Sequence, residues 1–438
     1  MDCDVVVVGA GVAGTIAARD IGRAGLSVAL LEARDRIGGR LLETEDPRAL
    51  APIELGGEFV HGRPALTYAL LQEIGATVID NADGGFVLRD GAMQPATSDR
   101  FADVASLLGS ALEREDDESV DALAARNDAT GASRETGTWT RRLVSGFDAA
   151  DPARASARAI AQEWLGDASA DGTQSRPAGG YAPVVAHLAR SLDAARVALR
   201  LQTVVRTIAR GRSGITLDAS ENGRDFSLRA RYAIVTVPHG VLLAPSGAEG
   251  ALAFDPPLPA ATRDAIAHIA MGPVHKIVLC FRQAFWETVS GGTFRDGAFF
   301  NGDGAFPTFW TQLPVRANIL VAWAGGPMAE RLRDESPNAR TELALACAGR
   351  YFGNVTAAEA AFACAYAHDW QSDPFSRGAY SYALVGGEHA REQLAIPIDG
   401  ALWIAGEAAA SNGEGGTVAG ALESGVRAAR GIIEAARR

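Results

Sequence analysis

The chain has 438 residues, of which 47% are hydrophobic and 21% charged, and a net charge of −12. That length and balance fit a globular protein of more than one lobe. The acidic surplus disfavours nucleic acid as a partner, and no run of about 18 apolar residues is available to span a membrane. Strand-like residues begin at Asp4 with no apolar leader before them, so a soluble, cytoplasmic protein is expected. The four cysteines, Cys3, Cys280, Cys347 and Cys364, form no C-x-x-C and stand beside no histidine cluster. They read as buried thiols in a reducing compartment, with no metal site.

Val5–Val8 predicts a short buried strand, followed by a helix from Gly14 to about Ala24 and a second strand over 26–31. This is a βαβ unit of about 30 residues. Residues from about 98 to 170 are polar, alanine-rich and acidic, and predict surface helices. A loop over 166–180 leads to a helix at 181–194. Strand patterns come next at 197–209, 214–219 and 226–237, then at 274–283, 293–300, 306–313 and 318–324. A helix is expected at 338–351, a strand at 401–405, and a last helix from about Thr417.

Gly9-Ala10-Gly11-Val12-Ala13-Gly14 fits G-x-G-x-x-G between a strand and a helix, and Glu32 ends the next strand 18 residues after Gly14. The glycines let backbone approach a pyrophosphate, the helix N-terminus stabilises its charge, and a carboxylate in that place bonds ribose hydroxyls. The pattern predicts a bound dinucleotide, either FAD or NAD.

The segment beginning at Glu32 favours FAD. Glu32-Ala33-Arg34-Asp35-Arg36-Ile37-Gly38-Gly39-Arg40 resembles the extended signature of the flavin-containing amine oxidases, the family of monoamine oxidases, polyamine oxidases and flavin-type histone demethylases. Further segments resemble it in family order: the loop Glu54-Leu55-Gly56-Gly57-Glu58-Phe59-Val60-His61-Gly62, Gly179-Gly180-Tyr181, and the strand around Val205. Val235-Thr236-Val237-Pro238, Trp370, Gly378-Ala379-Tyr380, Gly406-Glu407 and Gly416-Thr417-Val418 continue the series. The resemblance implies FAD contacts at Gly9, Gly11, Ala13, Gly14, Glu32, Ala33, Arg34, Gly38, Gly39, Arg40, Gly56, Gly57 and Glu58. It implies more at Val205 (adenine), Thr236, Trp370, Gly406, Glu407, Gly416, Thr417 and Val418.

The implied fold is α/β, a Rossmann-type FAD-binding domain with a discontinuous α+β substrate domain. The FAD domain would take residues 1–80, 180–260 and 390–438. The substrate domain would take 81–179 and 261–389, with its helical part near 98–170. Ala379 stands where some members carry a flavin-bonding cysteine, so non-covalent FAD is expected.

Lys276 is the only lysine; the other 40 of 41 basic residues are arginine. It falls on the family's position for a lysine that holds a water near flavin N5, which implies a catalytic role. By strand alternation its neighbour His275 points the other way. Tyr380 matches one wall of the family's aromatic cage for the amine, and Thr417 takes the opposite wall. His61 matches a position that meets substrate nitrogen in some polyamine oxidases, and Phe309 and Trp310 are further candidates for the pocket lining. The expected reaction takes a hydride equivalent from the carbon α to an amine, gives imine and then a carbonyl, and passes electrons to O2 to form hydrogen peroxide. A small amine and O2 are the expected partners, with a homodimer as one candidate assembly. Two alternatives stay open: an L-amino-acid oxidase, for which Arg63 is the one arginine near the right loop, and a flavin-bearing protein without turnover.

Overall fold

A computed structural model describes residues 1–96, 100–130, 134–166, 172–212 and 214–438. Its first unit arises from the opening sequence. Strand Cys3–Val8 runs into helix Val12–Arg23 and returns as strand Val28–Leu31, which pairs parallel to the first. Val5, Val6, Val7 and Leu30 have no exposed surface, as expected of strands covered on both faces. Val197–Arg200, Arg224–Val235 and Leu402–Ile404 extend the parallel set. Thr203–Gly211 and Gly214–Glu221 continue it as an antiparallel meander. The final helix, Val418–Arg437, lies against the first; a Cβ on Gly425 would sit 2.3 Å from the Ala13 carbonyl oxygen, so that glycine sets their close approach.

A second sheet draws on other stretches. Its order is Phe362–Tyr366, Val274–Phe281, Ile319–Gly325, Thr308–Trp310, Phe299–Asn301, Gly85–Arg89 and Ala92–Pro95. One face carries an aromatic core that includes Phe281, Phe285, Trp286, Phe300, Phe309, Tyr351 and Phe352. Smaller sheets of two or three strands also form. In one of them Val60–His61 and Val78–Asp80 both pair with Gln174–Pro177.

The expected strand over 197–209 is two strands, broken at Leu201 and Gln202, where Gln202 takes a positive φ of 49°. The strand expected at 293–300 starts only at Phe299, after a turn of 3-10 helix at Val289–Gly292. Within the loop expected over 166–180 stands the short strand Gln174–Pro177. The hairpin 85–95 is not among the expected strands, although Asp90-Gly91, with φ of 50° and 77°, has the signature of a two-residue turn. The helices expected near 98–170 are Arg100–Gly109, Val120–Ala129, Arg134–Phe147 and Ala157–Leu165. They are not only surface helices: Val104, Leu108, Val120, Leu123, Val144 and Ile160 are fully buried in a shared core. Positions 97–99, 131–133 and 167–171 of these stretches lie outside the described residues. Of the cysteines, Cys280 and Cys347 are buried, whereas Cys3 and Cys364 are half-buried; none is disulfide-bonded. No described helix is long and apolar enough to cross a membrane.

Candidate active site

A cavity opens at the C-terminal end of the parallel strands, the usual place for a ligand in such sheets. Gly9, Gly11 and Ala13 form its floor, and Ala33, Arg34, Gly38, Gly39 and Arg40 form a second edge. Gly9 has a φ of 104°, and an added Cβ would fall 2.7 Å from the Thr236 hydroxyl. A Cβ on Gly39 would reach within 3.2 Å of the Gly11 Cα, so both loops approach through bare backbone. No side chain caps the first helix, which leaves its N-terminal amides facing the cavity. Glu32 is aimed by its own neighbours: its carboxylate accepts from the Ala10 N–H at 2.8 Å and the Arg34 N–H at 3.0 Å. Val205, Thr236, Gly57, Gly406, Glu407, Gly416, Thr417 and Val418 complete the lining. These residues fit a dinucleotide: glycine backbone, helix N-terminus and carboxylate stand where pyrophosphate and ribose need them.

Several expected contacts stand behind the wall instead. Gly14 serves helix–strand packing, since a Cβ there would lie 1.9 Å from the Gly9 carbonyl oxygen. Gly56 lies under Arg40 in the same way, at 1.8 Å. The Trp370 indole donates to the Leu55 carbonyl at 3.0 Å. Arg34 and Arg40 reach the cavity with their charges already matched, Arg34 by Asp373 at 2.8 Å and Arg40 by Glu407 at 2.9 Å.

Glu58 is the main correction among the cofactor residues. Its side chain turns from the cavity to the sheet and meets Lys276, whose Nζ donates to Glu58 Oε2 at 2.8 Å and to the Gly56 carbonyl at 3.1 Å. Glu58 also accepts from Trp310 Nε1 at 3.2 Å and Gln312 Nε2 at 3.1 Å, with Arg176 at 3.6 Å. Burial alone would raise this carboxyl, but Lys276 and Arg176 outweigh it and hold it at about 2. Lys276 and Glu58 are 4% and 8% exposed, so this ion pair is shielded from solvent. His275 points to the opposite face, 3.5 Å from Gln371.

Tyr380 lines the cavity beside Gly416, and its hydroxyl donates to the Phe147 carbonyl at 2.6 Å. Thr417 lines it too, but its hydroxyl is engaged: it donates to the Glu414 carbonyl at 2.8 Å and caps the last helix through the Gly420 N–H at 3.0 Å. His61 packs edge-on to Phe147 at 5.2 Å, and burial pushes its imidazole down to about 4, so it is neutral at ordinary pH. Trp310 shares the Lys276 face, 5.8 Å from Nζ. Phe309 does not line the site. It points into the aromatic core against Tyr351, as alternation next to Trp310 requires. Phe147, which meets both His61 and Tyr380, and Trp164 beside it were not among the expected site residues. These come from the helical stretch, and the sole signal was an aromatic beside an acid in alanine-rich chain.

A family model described as flavin containing amine oxidoreductase matches residues 12–433. The chain belongs to this family. It is an FAD-dependent amine oxidase. It is 29% identical to polyamine oxidase 4 of Oryza sativa subsp. japonica, over 97% of this chain and 87% of that protein. It is 28% identical to putrescine oxidase of Kocuria rosea, over 99% and 95%. Among solved structures, cyclohexylamine oxidase from Brevibacterium oxydans superposes with a TM-score of 0.82 at 22% identity, over the full length of both chains.

Proposed function

We propose that this enzyme oxidises a small amine with O2, on FAD held without a covalent bond between the two lobes. The parallel-sheet lobe, from 1–80, 180–260 and 390–438, would be the Rossmann-type FAD domain. The second sheet with the helical bundle, from 81–179 and 261–389, would form the substrate lobe. Once bound, FAD would supply the redox chemistry, as acceptor of a hydride equivalent from the carbon α to nitrogen and donor of two electrons to O2. The protein supplies placement and charge. Glu32 would bond the ribose, and the N-terminal amides of Val12–Arg23 would meet the pyrophosphate. Tyr380 would present a ring face to the amine and exclude water. His61, neutral, is suited to accept from a substrate N–H.

The observation that carries this reading is Lys276, the lone lysine, bonded to the loop whose Gly57 borders the cavity. With Gly56 and Glu58 taking two of its three hydrogens, one N–H is left to hold a water for acid–base work. An L-amino-acid oxidase would need an arginine for the substrate carboxylate. Arg63 is instead bound to Asp80 at 2.8 Å and to Tyr68 at 2.7 Å on the surface. Ala379 lines the cavity and no cysteine does, which supports non-covalent FAD. Acid precipitation should leave FAD in the supernatant. The decisive experiment is a peroxide-coupled screen of primary amines, diamines, polyamines and L-amino acids. Turnover of L-amino acids alone would overturn the proposal.

A further inference from the structure

Strand Val274–Phe281 turns alternate side chains to its two faces. Ile277, Leu279 and Phe281 enter the aromatic core, whereas Lys276 shares the other face with Val278 and Cys280. Its antiparallel neighbour Phe362–Tyr366 is the edge strand of that sheet. In this register Cys280 stands directly opposite Cys364. Opposed residues of an antiparallel pair have Cα atoms about 4.5 or 5.5 Å apart, within the span of about 4.4–6.8 Å that a disulfide bridges. Both side chains pack in one small cluster with Val278, Tyr366 and Ala49, and the two thiols are in hydrogen-bond contact.

The two thiols are unequal. Cys280 has no exposed surface, whereas Cys364 is half-buried. Cys364 faces the loop at Asp46: its S–H donates to Asp46 Oδ2 at 3.5 Å, and the same oxygen accepts from the Tyr366 hydroxyl at 2.5 Å. Burial, and then the neighbouring Cys364, push the Cys280 thiol up to about 12, so it keeps its proton. Cys364 is therefore the sulfur that meets a solute first, and Cys280 is the one placed behind it. The other two cysteines stand apart. Cys3 begins the first sheet, and Cys347 belongs to the aromatic core on the opposite face.

We infer that Cys280 and Cys364 form a modification site for hydrogen peroxide, which closes the cross-strand pair into a disulfide. The source of the oxidant rests on the oxidase reading, whose product is peroxide. The Cys364 sulfur attacks one peroxide oxygen: an S–O bond forms, the O–O bond breaks, and the thiol proton leaves with the other oxygen as water. The Cys280 sulfur then attacks the Cys364 sulfur: an S–S bond forms, the S–O bond breaks, and the second thiol proton leaves with the hydroxyl as water. The two thiols lose two electrons and the peroxide gains them. The new bond closes the chain between 280 and 364 and pins the edge strand to the strand that carries Lys276.

The test exposes holoenzyme with reduced thiols to reagent hydrogen peroxide, unfolds it in an alkylating agent, and counts thiols by intact mass. Two of the four cysteines should escape alkylation. A peptide map should join the segments around Cys280 and Cys364, and dithiothreitol should restore both thiols. The oxidised enzyme should melt about 5 °C above the reduced one. Cys280→Ala should leave a Cys364 sulfenic acid that dimedone traps. Cys364→Ser, which exchanges sulfur for oxygen at the half-buried position, should keep its three remaining thiols and show no shift in melting, and it keeps the result readable if Cys280→Ala does not fold. A full set of alkylated cysteines after peroxide, a bond to Cys3 or Cys347, or Cys364 driven to sulfinic acid beside a free Cys280 would each overturn the inference. Peroxide release in an amine screen, with all thiols intact, sinks the pair and keeps the oxidase reading. The bond formed by reagent peroxide, with no amine oxidised, does the reverse.

Discussion

Glu58 and Asp148 are both enclosed carboxylates near the same cavity, and their surroundings drive them apart. Glu58 has Lys276 at 2.8 Å, Arg176 at 3.6 Å and two neutral donors. Asp148 accepts from the Trp164 indole N–H and has no ion-pair partner among the described residues. The first is held at about 2 and the second is pushed up. Burial is common to both; the difference is the count of cations. A carboxylate with its charge already matched can serve as scaffold. The first would fix a lysine.

Removing Lys276 tests the scaffold at its centre. Lys276→Met should retain FAD and slow flavin reduction or reoxidation by about 10²-fold or more, as loss of a positioned acid–base group commonly does. Lys276→Arg should not rescue it, being bulkier and unable to shed its proton. Anaerobic stopped-flow reads reduction, and mixing reduced enzyme with O2 reads recovery; wild-type rates in both would take Lys276 out of the mechanism.

Glu58→Gln leaves two buried cations without their counter-charge. A loss of about 3 kcal/mol in stability is expected, within the range for breaking a buried pair. The sign with pH is set by the depressed carboxyl. Its contribution is present above the unfolded value of about 4.5 and is lost as pH falls toward about 2. Thermal melts should therefore separate wild type from Glu58→Gln at neutral pH and converge in acid; a constant gap at all pH values would contradict the pairing.

Glu32 is an intermediate case, hydrogen-bonded only to backbone N–H groups, with the Arg34 guanidinium farther off at 3.7 Å. Glu32→Ala should weaken FAD binding by about 2 kcal/mol, the order of a charge-assisted bond. Fluorescence titration of deflavinated enzyme measures it, and an unchanged Kd would remove Glu32 from the ribose site.

A further effect lies between weakly acid and weakly alkaline pH. Burial raises Glu54 from an ordinary 4.5 to about 8. A raised carboxyl contributes fully below its unfolded pKa and loses that contribution as pH rises through the folded value. The Glu54 contribution should therefore decline from about pH 4.5 and be gone above about pH 8. Glu54→Gln should flatten that decline while keeping the acceptor for the Tyr181 N–H. Parallel slopes of melting temperature against pH in wild type and variant across this range would refute it.

The cofactor cavity was legible because its recognition is local. Gly9, Gly11 and Glu32 lie within one βαβ unit and act through backbone, so spacing alone carries the pattern. Lys276 stood out by composition, and alternation gave its face. Alternation could not supply which of Phe309 and Trp310 faces Lys276, since that depends on register with strand Ile319–Gly325. The Lys276–Glu58 pair joins residues 218 apart in sequence, so the loop motif drew Glu58 toward the flavin when tertiary packing draws it to the sheet. Asp148 was invisible for the same reason. Its surroundings come from glycines at 272, 325 and 326 and from Trp164, none of which marks it in the linear chain.

The wall of the flavin cavity begins at Val8 and is not complete until Ala421. During synthesis the N-terminal strand and glycine turn leave the ribosome first, yet Gly406, Glu407, Gly416 and the start of Val418–Arg437 emerge about four hundred residues later. A nascent chain can form the first βαβ unit early, but it cannot close a hand around the cofactor. Flavin loading at this cavity would then be a late event in the life of each molecule, set by when helix Val418–Arg437 reaches Val12–Arg23.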